Sequence, residues 1–271
     1  MSILIAASQK DPASMNIAER LIRNHDFKET EEIYCGKRIL RHNEILLVQL
    51  DVDGVYARSL DRDFDVETII FISRHMSESG QRSLTVHTTG NPTGSAVYGG
   101  RPKSLAWVDP QRMKAALATL MQKVEDMRLS KYSVSLEATH HGPTEMKAPV
   151  MFVEIGSSLE YWNDRLAGEA AASAAFSAAT TRLEGRASVG FGGGHYPSKH
   201  TEADMKGEFA IGHILPKYFF KEFTPEIVEL TFKRTIGDCR TAIIDWKGIP
   251  GRERSELIEI LEKDETEIVK V

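Results

Sequence analysis

The sequence predicts an α/β protein in which a mostly parallel, mixed β-sheet is covered by helices on both faces. Short apolar runs rich in Ile, Leu and Val alternate with amphipathic helical patterns along the chain. This alternation is typical of strand–helix–strand units. With 271 residues, 41% of them hydrophobic, the chain is long enough to bury a complete core. We therefore expect a single three-layer α/β/α domain spanning residues 1–271.

The first half of the chain supplies four strand candidates and two helices. The run 3–8 is the first strand candidate, and Ser14 is expected to cap a helix with Ile17 and Leu21 on its buried face. Further strand candidates are 44–50, 68–73 and 83–88. Residues 110–127 carry an apolar stripe at helical spacing and are expected to form a crossover helix; the stripe consists of Met113, Leu117, Leu120, Met121 and Val124.

The second half continues the alternation. Strand candidates at 132–139 and 150–156 surround a His-His-Gly-Pro turn, and the Ala-rich segment 159–183 is expected to be a closely packed helix. The remaining candidates are strands at 186–193, 208–215 and 241–246 and helices near 224–234 and 251–262. The Gly/Pro-rich segment 88–102 is too short to be a convincing linker, so we interpret it as an active-site loop within one domain.

Composition and charge exclude several classes of protein. Two cysteines are too few for a disulfide framework, no secretory leader is evident, and the uncharged stretch 170–181 is too short and polar to span a membrane. We expect a cytoplasmic protein without membrane contact. The net charge of −5 argues against a general nucleic-acid coat but is compatible with a local basic surface.

Histidines at the ends of strand candidates point to an active site. Six of the nine histidines lie in short polar segments that close an apolar run, namely His75, His87, His140, His141, His195 and His200. The carboxyl ends of parallel strands meet at one edge of a sheet, so these side chains are expected to converge there. Each histidine alone is better explained as an ordinary loop or core residue. The sequence also lacks the HExxH and CxxC zinc motifs.

Carboxylates and glycines accompany the histidines. Glu137 and Glu145 flank the two adjacent histidines, and a surface position is the better interpretation for Glu145. Glu154 interrupts a buried run, where a carboxylate requires a cation or hydrogen-bond donors. Gly192, Gly193 and Gly194 allow a close backbone approach to a ligand or form a simple tight turn. Ser8, Gln9, Lys10 and Asp11 follow the first strand and are candidate substrate contacts. The alternative for the pair Asp11-Pro12 is that it simply starts the helix.

Three specific blocks occur in this order along the chain: Thr-His-His-Gly-Pro-Thr-Glu, Glu-Ile-Gly-Ser-Ser and Gly-Gly-Gly-His-Tyr. Together with three further segments they resemble the archaeal and plant-type D-aminoacyl-tRNA deacylase family. One departure is Ser14, where the family pattern has glycine. The matching segments are 7–21, 71–80, 84–91, 135–145, 152–158 and 190–202.

The resemblance implies a zinc-dependent enzyme, with one Zn²⁺ ion or two, that hydrolyses the ester of D-aminoacyl-tRNA and accepts many side chains. It implies a fold similar to phosphorylase/hydrolase-like proteins. The metal ligands are then expected among His75, His87, His140, His141 and His195. The catalytic groups are expected among His140, His141, Glu137 and Glu154, and the substrate contacts among Ser8, Lys10, Gly192, Gly193, Gly194 and Lys199.

The expected partner is the acceptor end of aminoacylated tRNA, bound by a monomer that needs no obligate protein partner. Candidate phosphate contacts are Lys10, Arg101, Lys103, Lys199, Lys206 and Lys217.

Two other interpretations stay open at this point. One is a different enzyme on the same architecture, such as a nucleoside phosphorylase, a metal-dependent peptidase or another hydrolase. The other is a non-catalytic nucleotide-binding module.

Overall fold

The structure is a computed structural model that describes residues 1–78 and 80–271. Ser79, within the matching segment 71–80, lies outside the described residues. The strands are β1 Ser2–Ser8, β2 Lys28–Tyr34, β3 Lys37–His42, β4 Ile45–Leu50, β5 Val66–His75, β6 Ser83–His87, β7 Gly90–Asn91, β8 Ser104–Leu105, β9 Ser133–Leu136, β10 Val150–Gly156, β11 Arg186–Phe191, β12 Phe209–Leu215, β13 Thr241–Ile244 and β14 Glu267–Lys270. The helices are α1 Pro12–Asn24, α2 Leu60–Asp63, α3 Pro110–Asp126, α4 Leu159–Trp162, α5 Arg165–Thr180, α6 Ser198–Met205, α7 Pro225–Lys233 and α8 Gly251–Lys263.

Twelve of the described strands form a large mixed sheet and a smaller parallel sheet, and β7 and β8 form a separate antiparallel pair. The large sheet has the order β2-β3-β4-β1-β5-β10-β6-β9, and the smaller sheet has the order β12-β11-β13-β14. In the large sheet β1, β4, β5 and β10 are parallel, whereas β6 runs antiparallel to β10. The predicted α/β class with a mostly parallel, mixed sheet is confirmed. The split into separate sheets was not predicted, and the organisation as one domain stays a prediction.

Helices α1, α3 and α5 cover one face of the large sheet. Ala170, Ala171, Ala174 and Ala178 of α5 are fully buried, and such small side chains let the helix lie close to its neighbours. Helix α3 also contacts β12 and β11, so it bridges the two sheets. The other face of the large sheet is buried beneath α2 and connecting segments at 54–57 and 146–148.

The start of α1 differs from the sequence prediction. Asp11 caps the helix, because its Oδ1 accepts hydrogen bonds from the amides of Ala13 and Ser14 at 2.9 and 3.1 Å. Ser14 is therefore wrong as the predicted cap. The helix has the alternative start at Asp11-Pro12, since aspartate is a strong cap and proline fits the first helical turn. Ser14 Oγ instead accepts from the amide of Ser8 and donates to the carbonyl of Ile72, joining α1 to β1 and β5.

Some elements were missed because they lack an apolar pattern. Strand β2 lies at the edge of the large sheet and is mostly exposed, so its charged sequence gives no strand signal. Helix α6 is only eight residues long and mixes polar with small side chains. Within the described part of the chain, no helix is both long and apolar enough to cross a membrane.

Candidate active site

Imidazoles and carboxylates from both halves of the chain converge at the junction of the two sheets. All five predicted metal-binding histidines and both predicted carboxylates belong to this group. Their ligand atoms form overlapping sets in which every atom lies within 4.8 Å of the others; the sets are His75, Glu137, His140 and His195; His87, His140 and His141; and His87, Glu137 and Glu154. We call these seven residues the His/Glu cluster.

The large sheet supplies Glu154 and the histidines on either side of it. Glu154 lies in β10, paired with Ser73 of β5 and Thr85 of β6. His75 ends β5 at the level of Gly156, as expected for parallel strands. His87 ends β6 opposite Phe152, because β6 runs the other way. The prediction that all the histidines share one carboxyl edge is therefore wrong for His87, which meets Glu154 from an antiparallel neighbour.

The segment after β9 joins the two sheets and brings His195 to Glu137. The amide of Ala138 donates to the carbonyl of His195 at 2.9 Å, and the amide of Thr139 donates to the carbonyl of Ile214 at 2.9 Å. Thr139 Oγ1 accepts in turn from the amide of Ile214 at 3.0 Å. These bonds place the loop after β11, which carries His195, against the segment that carries Glu137.

Buried carboxylates form the centre of the cluster. The Oε1 atom of Glu137 lies 3.1 Å from His75 Nδ1, and its Oε2 atom lies 3.1 Å from His195 Nε2 and 3.6 Å from His140 Nε2. The Oε2 atom of Glu154 lies 3.3 Å from His75 Nδ1 and 3.5 Å from His87 Nε2. The Glu137 side chain is 0% exposed, so its charge requires compensation by its neighbours.

Main-chain carbonyls fix the tautomer of three histidines. The Nδ1 atoms of His87, His140 and His141 lie 3.0, 2.7 and 2.6 Å from the carbonyl oxygens of Thr88, Ala138 and Gly142. A carbonyl only accepts, so each Nδ1 carries the proton and each neutral ring keeps its lone pair on Nε2. Histidines that bind metals are oriented in this way.

The cluster fits a metal ion better than a set of hydrogen bonds. Three buried atoms have no hydrogen-bond partner among the described residues, although their neighbours are close. They are both carboxylate oxygens of Glu137 and the Nε2 atom of His87. Buried polar atoms that approach each other without hydrogen-bonding are explained if they face a common cation. Imidazole nitrogens with carboxylate oxygens form a donor set that Zn²⁺ prefers.

The protonation states agree with this interpretation. Burial and the neighbouring His141 and His87 lower the pKa of His140 well below its ordinary value, and burial with the adjacent His87 lowers the pKa of His141 to about 4. Burial also opposes the charge of Glu137, but the adjoining imidazoles of His195 and His75 outweigh it and lower its pKa to about 2. At neutral pH His140 and His141 are therefore neutral, and Glu137 is ionised.

A cavity of about 360 Å³ opens onto the cluster, with His75, His140, His141, Glu154 and His195 in its wall. Asp11, a candidate substrate contact from the sequence, also lines this cavity, together with Asp53 and Arg74, which were not selected from the sequence. The Arg74 amide donates to Asp11 Oδ2 at 2.7 Å, and its Nη2 donates to Asp53 Oδ2 at 3.2 Å. No sequence pattern marks Asp53 and Arg74, since they come from separate segments of the chain.

Tyr196 was also missed, although it directly follows His195. Its hydroxyl lies 2.6 Å from His75 Nε2, so the ring nitrogens of His75 face the tyrosine on one side and the carboxylates on the other. Its position beside His195 in the Gly-Gly-Gly-His-Tyr block was the available signal.

Apart from Asp11, the predicted substrate contacts are not among the described residues that line the cavity. Ser8 is buried beside the cavity, with its Oγ 3.4 Å from Asp53 Oδ1, whereas Lys10 is exposed. The Gly192 amide donates to the carbonyl of Leu215, and Lys199 Nζ donates to Asp245 at 2.7 Å. A role for these residues, and for Gly193 and Gly194, in substrate binding stays a prediction.

Two residues weighed in the sequence analysis lie outside the cluster. His200 is buried in α6, where its Nε2 lies 3.1 Å from the carbonyl oxygen of Ile243. Glu145 lies 3.8 Å from Arg101, which agrees with an ordinary ion pair.

Comparison with known proteins decides the family. A family model described as D-aminoacyl-tRNA deacylase matches residues 62–269. The chain belongs to this family. D-aminoacyl-tRNA deacylases are also among its curated relatives: the Pyrococcus furiosus protein is 36% identical over 98% of this chain and 99% of its own length, and the Pyrococcus horikoshii protein is 37% identical over 93% of each. The family predicted from the sequence blocks is therefore confirmed, and the chain is an enzyme of the deacylase class.

A solved structure supports the fold of this deacylase family member. The crystal structure of a conserved protein of unknown function has a TM-score of 0.89, with 32% sequence identity over 99% of this chain and 95% of that chain. The fold that brings the two sheets together at the His/Glu cluster is therefore shared with that structure along nearly the whole chain.

Proposed function

We propose that this enzyme hydrolyses the ester bond of D-aminoacyl-tRNA, releasing the free D-amino acid and tRNA, at the His/Glu cluster. The observation that carries the proposal is the convergence of imidazoles from separate segments on the buried carboxylate of Glu137, in the wall of an open cavity. The relatives' shared name supports the substrate, and the cluster supports a hydrolytic reaction.

The cluster is proposed to hold zinc, as one ion or two. His75, Glu137, His140 and His195 form one set of donors, and His87 with His141 and Glu154 lies directly beside it. When bound, zinc supplies Lewis-acid polarisation of the ester carbonyl and lowers the pKa of water at the site. Glu154 orients His75, because its Oε2 atom lies 3.3 Å from His75 Nδ1.

The chain's own residues are proposed to manage the protons of the reaction. Hydrolysis removes a proton from water and returns one to the ribose oxygen that leaves. His140 and His141 are neutral at pH 7 and face the cavity, so a ring that is not holding metal accepts a proton at Nε2. Glu137 and Glu154 stay ionised and stabilise the resulting imidazolium.

The outer wall of the cavity supports a broad range of amino-acid side chains. Val55 and Met76 add apolar surface to this wall, beside the polar side chains of Asp11, Asp53 and Arg74. Apolar walls discriminate weakly between side chains, since a methylene group contributes only about 1–3 kcal/mol. Discrimination between D- and L-esters is proposed to come from steric conflict with the wall on one side of the reacting carbon.

The acceptor end of tRNA is the proposed partner, and a monomer in the cytoplasm is the proposed state. Arg101 and Lys103 are exposed on the segment that leads to the cavity, and Lys217 is exposed after β12. A few such contacts suffice to hold one end of the tRNA despite the net charge of −5, and they make binding salt-sensitive.

The proposal is tested by measuring the loss of the ester from D-tyrosyl-tRNA and from matched L-tyrosyl-tRNA. Each substrate is incubated with the protein as purified, with the protein after treatment with a chelator, and with the treated protein after zinc is restored. We expect loss of the D-ester alone, abolished by the chelator and recovered with zinc. Loss of neither ester, with phosphorolysis of a nucleoside instead, contradicts the proposed reaction. D-esters of aromatic, aliphatic and acidic amino acids then test the range; hydrolysis of only one class contradicts broad specificity.

A further inference from the structure

Two exposed tyrosines stand at the mouth of the cavity that contains the His/Glu cluster. Tyr56 and Tyr98 line this cavity together with His140 and His141, yet their side chains are 46% and 66% exposed. An exposed aromatic ring in the wall of a reactive cavity offers a flat apolar surface to a ligand.

The backbone that carries Tyr98 is held firmly although its ring is exposed. Its carbonyl accepts a hydrogen bond from the amide of Gly142 at 2.9 Å, directly after the two adjacent histidines. The carbonyl of Gly99 accepts from Asn91 Nδ2 at 2.8 Å, and the amide of Arg101 donates to Thr144 Oγ1 at 2.9 Å. Tyr98 is therefore kept at a fixed position relative to the cluster.

The loop that carries Tyr56 packs against the same segment. Gly99 has φ of +75°, and a Cβ atom built there would lie 1.9 Å from the carbonyl oxygen of Val55 and 3.4 Å from Cδ1 of Tyr56. This close approach requires glycine. The two tyrosine-bearing loops thus touch at Gly99, so Tyr56 and Tyr98 come from adjoining segments of the cavity wall.

We propose that Tyr56 and Tyr98 form a stacking site for the unpaired bases at the 3′ end of tRNA. The inference rests on the proposed function. In an aminoacyl-tRNA the terminal adenine is attached to the same ribose as the ester, so an ester carbonyl at the cluster puts that base at the cavity mouth. Proteins bind single-stranded ends by stacking bases on aromatic rings beside cationic groups.

The charges near the tyrosines suit a nucleic-acid strand. Arg58 is exposed two residues after Tyr56, and the guanidinium side chain of Arg101 is 75% exposed three residues after Tyr98. Its ion pair with Glu145 is long, at 3.8 Å, and solvent-exposed on the arginine side. We propose that these exposed cationic groups contact the phosphates that follow the stacked bases.

Binding of RNA minihelices to the zinc-loaded protein tests this proposal without requiring turnover. One minihelix has a single-stranded ACCA end, and the matched one lacks the terminal base. We expect wild type to bind the first about tenfold more tightly by fluorescence anisotropy, consistent with one stacked base. Tyr98→Ala and Tyr56→Ala are expected to lose most of this preference, whereas Tyr98→Phe keeps the ring and retains it.

Val97→Ala is the matched control, because Val97 is 73% exposed on the same loop but carries no ring. We expect it to bind both minihelices as wild type does. A wild type that does not distinguish the minihelices, or tyrosine variants that keep the full preference, overturns the stacking site. Base-dependent binding without hydrolysis of D-tyrosyl-tRNA would instead contradict only the proposed function.

Discussion

The environment of His75 predicts that the metal-free protein loses stability as the pH rises. Burial opposes the charged form of His75, but Glu154 and Glu137 outweigh it and raise its pKa to about 9. In the unfolded chain the pKa returns to about 6.5. Because the folded value is the higher one, the stabilisation is complete below pH 6.5 and is lost as the pH rises through about 9.

The size of the effect follows from the two pKa values. A pKa difference of one corresponds to about 1.4 kcal/mol, so the change from 6.5 to about 9 corresponds to about 3 kcal/mol. The side chain of His75 is 5% exposed, so solvent screens the interaction little. His87 contributes in the same direction, because Glu154 raises its pKa against the opposing effect of burial.

Urea denaturation between pH 6.5 and 9 measures this stability in chelator-treated protein. We expect the free energy of unfolding to fall by up to about 3 kcal/mol across this range in wild type and by clearly less in His75→Gln, which does not titrate. Added zinc should remove the decline, since the metal replaces the proton as the partner of the carboxylates. A flat profile in wild type, or identical slopes in both proteins, would refute this account of the cluster.

Three further predictions concern single side chains. His140→Ala should lower kcat/KM for D-tyrosyl-tRNA at least about 100-fold, because even indirect partners of a metal matter 10–100-fold; full activity with an unchanged circular dichroism spectrum would show that His140 is misassigned. Tyr196→Phe removes the hydroxyl 2.6 Å from His75 and should weaken zinc affinity about tenfold in competition with a chelator, whereas unchanged affinity would make the contact incidental. Asp11→Ala should lower the free energy of unfolding by about 1–2 kcal/mol, since it removes the cap of α1 and the acceptor for Arg74; equal stability of Asp11→Ala and Asp11→Asn would argue against the cap.

Much of the fold was predictable because buried strands and helices leave regular apolar patterns. Strands β4 and β10 and helices α3 and α7 fall within two residues of their predicted bounds. The hairpin of β2 and β3 was not predictable in this way, because most side chains of β2 face water, only two residues of β3 are buried, and the pairing depends on the neighbouring β4.

The candidate site was predictable as a set of residues but not as an arrangement. The histidines that end strands, together with Glu137 and Glu154, were selected from sequence, and the structure brings them together. The antiparallel course of β6 and the bonds from Ala138 and Thr139 to the second sheet are tertiary features without a local signal. For the same reason Arg74 could not be selected from the sequence, since its partners Asp11 and Asp53 come from distant segments.

The most direct test of the central claim is anomalous X-ray diffraction at the zinc edge from crystals of the zinc-loaded protein. The account predicts a peak at about 2.0–2.2 Å from a carboxylate oxygen of Glu137 and from nitrogens of His75 and His195. Zinc bound elsewhere, with no peak among these side chains, would contradict a metal-assisted hydrolytic centre at the junction of the two sheets.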